Sequence, residues 1–363
     1  MAKTKVGIIG CGGIANAKHM PGLKACPDAE MVAFCDIVIE RAETAAKQYG
    51  VPGAKVYEDY KELLKDESIE VVHVLTPNRA HSFITVDALN AGKHVMCEKP
   101  MAINSAEAKK MLDAAKKNGK KLTIGYQNRQ SAEARFMKAE ADKGTFGEIY
   151  YARALALRRR AVPTWGVFLN EEEQGGGSLI DIGTHSLDLT LWMMNNYSPK
   201  YCLGQTFHKL NNDKPGEQGN VWGAWDPAKF TVEDSAFGLV VMENGATISV
   251  ESAWALNTLD VREATTSICG TKAGGELLPG VGVRINGIRG GYQYTQDITM
   301  TGSAAAFYDG VGDEPGHIRE AKLWIKAVRE DKDPFVLPEQ AYVVTRILEG
   351  IYESARTGDI YRF

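Results

Sequence analysis

The chain has 363 residues, 44% apolar and 24% charged, with a formal net charge of −4 at neutral pH. That length is too great for one ordinary core and predicts two domains. The slight acidic excess argues against a nucleic-acid or membrane-surface partner, and no run approaches the ~20 apolar residues of a membrane helix. The opening MAKTKVGIIG enters a strand at once, with no cleavable apolar segment. The six cysteines are widely spaced and form no CxxC pair. Free thiols in a reducing cytoplasm are therefore expected.

KVGIIG (5–10) reads as a strand, with a helical pattern to about Ala25. Strands MVAFCD (31–36), VVHVLT (71–76), HVMCE (94–98) and KLTIGY (121–126) follow. Helical patterns over 39–49, 80–91 and 105–118 separate them, the last with Asn104 or Ser105 as cap. Apolar strands alternating with helices predict a doubly wound parallel sheet covered on both faces.

The first turn, Gly10-Cys11-Gly12-Gly13-Ile14-Ala15, is G-x-G-x-x-A between a strand and a helix. Such a turn lets backbone approach a pyrophosphate at a helix N-terminus. Asp36 ends the second strand, about 20 residues on, where a carboxylate can accept from both ribose hydroxyls. The alternative is a tight strand-to-helix turn with no ligand. NAD is expected ahead of NADP, because Ile37 offers no cation for a 2′-phosphate; Arg41 could reverse that choice. Other strand ends should point into the same crevice: Thr76-Pro77-Asn78, Glu98-Lys99-Pro100 and Tyr126-Gln127-Asn128. Pro100 stops its strand, so Lys99 can project into the crevice. The plainer reading makes Lys99 a surface lysine paired with Glu98.

Beyond Tyr126 the rhythm changes. A helix is predicted over 132–143, then alternating stretches at 148–159, 200–210, 235–243, 246–256 and 265–271. Turns such as Glu243-Asn244-Gly245-Ala246 predict hairpins, and so a mainly antiparallel sheet buried on one face. Residues 272–315 should hold short strands and loops, and helices close the chain at 316–330 and 338–356. The expected organisation is a dinucleotide-binding α/β domain at 1–125 and an α+β substrate domain at 126–363.

Gly175-Gly176-Gly177 precedes a helix expected from about Asp181 to Asn195. Asp181 and His185 share one face of it, with Asp188 a turn further on. A carboxylate that holds an imidazole fixes its tautomer and raises its basicity. Equally, Asp181 could cap the helix and His185 be a satisfied polar residue. A metal site has only these two ligands in support, so no metal is expected. Arg158-Arg159-Arg160 is either a solvated strand end or a site for a polar or anionic substrate. Trp165, Trp222 and Trp225 are either core residues or apolar faces for a sugar ring.

G-x-G-x-x-A, T-P-N-x-x-H (Thr76 to His81), A-G-K-H-V-x-C-E-K-P (Ala91 to Pro100) and G-G-G-x-L-x-D-x-G-x-H-x-x-D (Gly175 to Asp188) together resemble the Gfo/Idh/MocA oxidoreductases. The likeness spans nearly the whole chain. It implies a Rossmann domain followed by an open-faced antiparallel sheet domain that pairs copies into a homodimer or homotetramer. It implies NAD as cofactor and hydride transfer at a secondary hydroxyl of a sugar, glycoside or cyclic polyol, with the C3 hydroxyl of a glucoside as one branch. The family's catalytic lysine, aspartate and histidine fall on Lys99, Asp181 and His185. Asn78, His81, Glu98 and Asn128 would surround the nicotinamide and the site entrance. Substrate contacts would come from Lys99, Tyr126, Asn128, Arg158, Arg160, Trp165, Asp181 and His185. Rival readings are an inositol dehydrogenase, a glycosidase that oxidises its sugar transiently with NAD, and a non-catalytic NAD sensor.

Overall fold

The computed structural model describes residues 2–210, 219–278, 282–300 and 314–363. Part of the 272–315 expectation, at 279–281 and 301–313, lies outside them. The chain divides into two units: Met1–Gln130 with Asp313–Tyr342, and Ser131–Gly312 with Val343–Phe363.

In the first unit, β1 (Thr4–Ile9), β2 (Ala29–Cys35), β3 (Lys55–Tyr57), β4 (Val71–Val74), β5 (His94–Cys97) and β6 (Leu122–Ile124) form one sheet in the order β3-β2-β1-β4-β5-β6. Every pair is parallel. All four residues of β4 and all three of β6 are buried, as a sheet covered on both faces requires. Sequence reading missed β3: three partly exposed residues carry no legible period. Asn104 is the cap of the helix Ser105–Asn118, accepting from Glu107 N at 2.9 Å. The late helix Gly316–Arg329 belongs to this unit, and its Ala321, Trp324 and Ile325 pack with Val6, Leu23 and Met96. The strand order reverses between β1 and β4, the point at which such sheets bind ligands beyond their strand ends.

The second unit is built on nine strands in the order β14-β13-β12-β11-β7-β10-β9-β8-β15. They are β7 (Ile149–Leu157), β8 (Pro199–Phe207), β9 (Ser235–Met242), β10 (Thr247–Ala253), β11 (Arg262–Gly270), β12 (Ala273–Leu278), β13 (Gly282–Arg289), β14 (Tyr292–Ile298) and β15 (Tyr361–Arg362). All pairings are antiparallel except β7 with β10. The β9–β10 hairpin closes as its turn residues predict: Gly245 has φ +86° and Asn244 Oδ1 accepts from Ala246 N at 3.1 Å. The apolar helix Thr184–Met194 covers one face of the sheet over β7 and β11. Leu203 and Leu239 are exposed, 50% and 45%, on neighbouring strands β8 and β9. Among the described residues no helix is long and apolar enough to cross a membrane. All six cysteines are free thiols.

Candidate functional site

In the first unit the glycine turn leaves β1 at Gly10, whose φ is +93°. A Cβ there would lie 2.5 Å from the Leu75 carbonyl oxygen, so only glycine lets β1 and the end of β4 approach this closely. Gly12 and Gly13 differ: a Cβ on either would meet nothing within 4 Å. Their backbone faces open space, as a pyrophosphate would need. Ala15 is fully buried in the core, which is the packing demanded of the third small position. The helix runs on through a π-helical turn, Ala15–His19, into Met20–Lys24.

Asp36 is 7% exposed and pinned beside this turn. Its Oδ2 accepts from Cys11 N at 2.8 Å and its Oδ1 from Val38 N at 2.9 Å. Arg41 Nη1 lies 4.0 Å from Oδ1 on a largely exposed side chain. Ile37 is 86% exposed. Burial, with Asp36 beside it, pushes the Cys11 thiol up to about 12, so it is no nucleophile. Thr76 Oγ1, after β4, is buried with no hydrogen-bond partner among the described residues. Open backbone, a fixed carboxylate and an unsatisfied hydroxyl at the switch point fit a dinucleotide.

The next strand end is organised by two buried side chains. Glu98 Oε1 lies 2.8 Å from His19 Nε2, and its Oε2 accepts from Lys99 N at 2.9 Å. His19 Nδ1 in turn lies 3.2 Å from His73 Nδ1. Burial, with His19 adding to it, holds the His73 imidazole well below its usual range. His81 is 1% exposed, with Nδ1 2.7 Å from Pro100 O and Nε2 2.8 Å from Thr76 O. It ties the two strand-end turns together. Satisfying both carbonyls needs a proton on each nitrogen, whereas burial lowers the pKa despite them. The Lys99–Pro100 peptide is cis, and Lys99 is half-buried. Pro77 and Asn78 start the helix Asn78–Asn90 as cap and first residue. Tyr126 is fully buried, whereas Asn128 is half-buried in a short 3-10 turn.

In the second unit, Asp181 lies in a π-helical turn, Leu179–Gly183, which leads directly into Thr184–Met194 with His185. A single π turn of this kind is frequent at functional sites. Asp181 is 8% exposed, and its Oδ2 accepts from the Trp254 indole N–H at 3.0 Å. The Trp254 backbone N donates to Asp234 O at 2.9 Å, which ties the residue after β10 to the residue before β9. Asp188 is buried.

The arginine run is partly occupied. Arg158 pairs with Glu263 and lies over the Trp222 ring, 5.3 Å from its centroid. Arg160 donates to Asn257 Oδ1 at 2.8 Å. Trp165 and Trp222 meet edge to face, centroids 4.9 Å apart, and are 51% and 40% exposed. Trp225, by contrast, is core, packed with Phe230, Trp254 and Ile182.

Lys99 thus belongs to the first unit, and Asp181, His185, Arg158, Arg160 and Trp165 to the second. Sequence reading missed Trp254 and Glu233. Nothing local marks a tryptophan just after a strand, or a glutamate just before one, as the partner of a distant turn. The one available signal was the triple glycine, which announces a close approach without naming what approaches.

Two family models cover the chain. The oxidoreductase family NAD-binding Rossmann fold matches residues 4–126. The C-terminal alpha/beta domain of the same family matches residues 138–362. The D-glucoside 3-dehydrogenase of Escherichia coli K12 is 36% identical over 98% of this chain and 96% of its own length. The inositol 2-dehydrogenase of Salmonella typhimurium is 32% identical over 53% of this chain and 54% of its own. Among solved structures, the aldose-aldose oxidoreductase of Caulobacter crescentus superposes with a TM-score of 0.81 at 25% identity. It covers 99% of this chain and 100% of that one.

Proposed function

The chain belongs to the Gfo/Idh/MocA family of NAD-binding oxidoreductases, and we propose that, as an NAD-dependent dehydrogenase of sugars or polyols, it oxidises the C3 hydroxyl of a D-glucoside. The observation that carries the choice of substrate is the near full-length similarity to the E. coli D-glucoside 3-dehydrogenase. The inositol dehydrogenases match about half of the chain. The exposed Trp165–Trp222 pair and the arginines beside it also suit a ring with one apolar face and many hydroxyls.

Gly10, Gly12, Gly13, Ile14 and Ala15 would hold the pyrophosphate, and Asp36 the adenosine ribose. Bound there, the nicotinamide supplies an acceptor for the hydride that leaves the carbinol carbon. The protein's own task is the proton. His185 takes it from the hydroxyl, Asp181 orients the imidazole, and Trp254 holds Asp181. Lys99 bonds the same oxygen and stabilises its developing negative charge. Lys99, bonded to that same oxygen, is the competing base. Thr76, Asn78, His81, Glu98 and Asn128 border the cofactor. Of these, Glu98 and His81 act by fixing the turns on either side of Lys99. The open sheet face carrying Leu203 and Leu239 would pair copies of the chain, and molar mass by light scattering measures that directly.

The deciding assay is absorbance at the NADH band with NAD⁺ and a panel of aryl glucosides, free sugars and inositols, with products weighed by mass spectrometry. A rise with glucosides, and a product two hydrogens lighter, is expected. Activity confined to inositols would move the enzyme to polyols, and release of free aglycone without NADH would make it an NAD-dependent glycosidase.

Asp36→Ala is expected to weaken NAD about tenfold or more and to improve relative use of NADP, since a carboxylate repels the 2′-phosphate. Asp36→Asn, which keeps the shape, separates that charge effect from loss of the bonds to Cys11 N and Val38 N. An unchanged NADP-to-NAD ratio in both variants would remove Asp36 from the ribose.

A further inference from the structure

The three glycines at 175–177 need a reason to be glycine. A Cβ on Gly177 would lie 2.1 Å from the Glu233 carbonyl oxygen, and one on Gly176 would lie 2.2 Å from the Tyr352 hydroxyl. The turn is therefore pressed onto the Glu233 backbone and the Tyr352 side chain, both from elsewhere in the second unit. Glu233, 3% exposed, takes hold of it. Its Oε2 accepts from Gly177 N at 2.7 Å and its Oε1 from Leu179 N at 2.9 Å. The Tyr352 hydroxyl, from the C-terminal helix Pro338–Thr357, donates to the same Oε1 at 2.9 Å. These bonds sit where the π turn with Asp181 begins, and a carboxylate there also meets the positive end of the helix.

We propose that Glu233, backed by Tyr352, is a positioning residue: it latches the triple-glycine turn and so sets the place of Asp181 and His185. The proposal rests on the reading that Asp181 and His185 move the substrate's proton. Two ties then converge on one helical turn. Glu233 holds its backbone, and Trp254 holds the Asp181 carboxylate. The segment of Glu233 serves both, because the next residue, Asp234, bonds Trp254 N through its carbonyl.

The latch is a titrating one. Burial pushes the Glu233 carboxyl up to about 7, although the Leu179 and Gly177 N–H groups and Tyr352 pull it down. Tyr352 and those backbone N–H groups face it. Asp234 turns instead to Leu210 N and Ser235 Oγ, and Asp181 to Trp254. Burial, with Glu233 beside it, holds the tyrosine well above its usual range, so it remains a donor. A protonated Glu233 cannot accept with both oxygens as well as a carboxylate does. The turn should loosen as pH falls below about 7 and tighten above it.

The test uses Tyr352→Phe and Glu233→Gln in the full chain with NAD. Hydrogen exchange of the peptide covering 175–182 is read first, then kcat and KM against pH. In Tyr352→Phe one donor to the carboxylate is lost, so the Glu233 pKa rises further. The acid limb of kcat should move up by roughly half a pH unit to one unit. Exchange at Gly177 and Leu179 should quicken about tenfold, and kcat at pH 7 should fall roughly five- to tenfold with KM for NAD unchanged. Should Glu233→Gln fail to fold, Tyr352→Phe still decides. Unchanged exchange, or faster exchange with an unmoved kcat–pH profile, would overturn the positioning role. Lack of turnover by the unaltered enzyme on every glycoside would sink the substrate reading instead, while exchange would still report on the latch.

Discussion

Lys99→Ala is expected to lower kcat roughly 100- to 1,000-fold, the usual effect of deleting one donor to a developing oxyanion. NAD should bind with little change. Two contacts that hold the turn do not use the ammonium group. Glu98 holds the backbone N–H of residue 99, and His81 faces the carbonyl of Pro100. Alanine leaves both contacts in place. Turnover by NADH absorbance and NAD affinity by nucleotide fluorescence, on the same preparation, make the comparison. A near-normal rate would end the catalytic role of Lys99. A loss of NAD binding equal to the loss of rate would make it a cofactor residue only.

The second large effect is expected from His185→Ala. Removing a general base costs about 10²–10⁴-fold in turnover. The sign of the pH effect distinguishes a base from a mere contact. A histidine base must be neutral to take the proton, so it makes kcat rise with pH as the imidazole loses its charge. In the variant that rise should flatten, leaving the smaller component that Glu233 contributes near pH 7. Combining His185→Ala with Tyr352→Phe separates the two, because the residual limb should move with the tyrosine. If only KM changes, His185 binds substrate and transfers no proton.

Much of the first unit could be read from the linear chain because its chemistry is local. The glycines, Ala15 and Asp36 lie within two strands and one helix, at spacings that backbone geometry imposes on any turn of this kind. Lys99 stands out because an apolar strand cannot bury a lone ammonium beside a proline. Asp181 and His185 stand out because helical periodicity places them on one stripe. Period also separates strands buried on both faces from strands buried on one, which was enough for the class of each sheet.

What surrounds those residues was not legible. Alternation tells which face of β7 or β10 is buried, but not that these two run parallel inside a mainly antiparallel sheet, since direction depends on the connections. The helix Gly316–Arg329 shows an amphipathic pattern, yet nothing in the pattern says that its apolar face completes the core around Val6 and Met96. Trp254 is 73 residues from Asp181, Glu233 is 56 from Gly177, and Tyr352 is 119 from Glu233. Hydrogen bonds over such separations leave no period behind. By itself, then, the sequence determined the glycine turn, the acid at the end of the second strand, the two sheet classes and which residue types could do acid–base chemistry. Each of these follows from steric and dipolar constraints acting within a few residues. Only the tertiary structure decided which side chains hold Asp181 and the glycine turn, and which face each helix covers. A partner is chosen by proximity in the folded chain, where a buried polar atom left alone costs more than almost any local preference can offset.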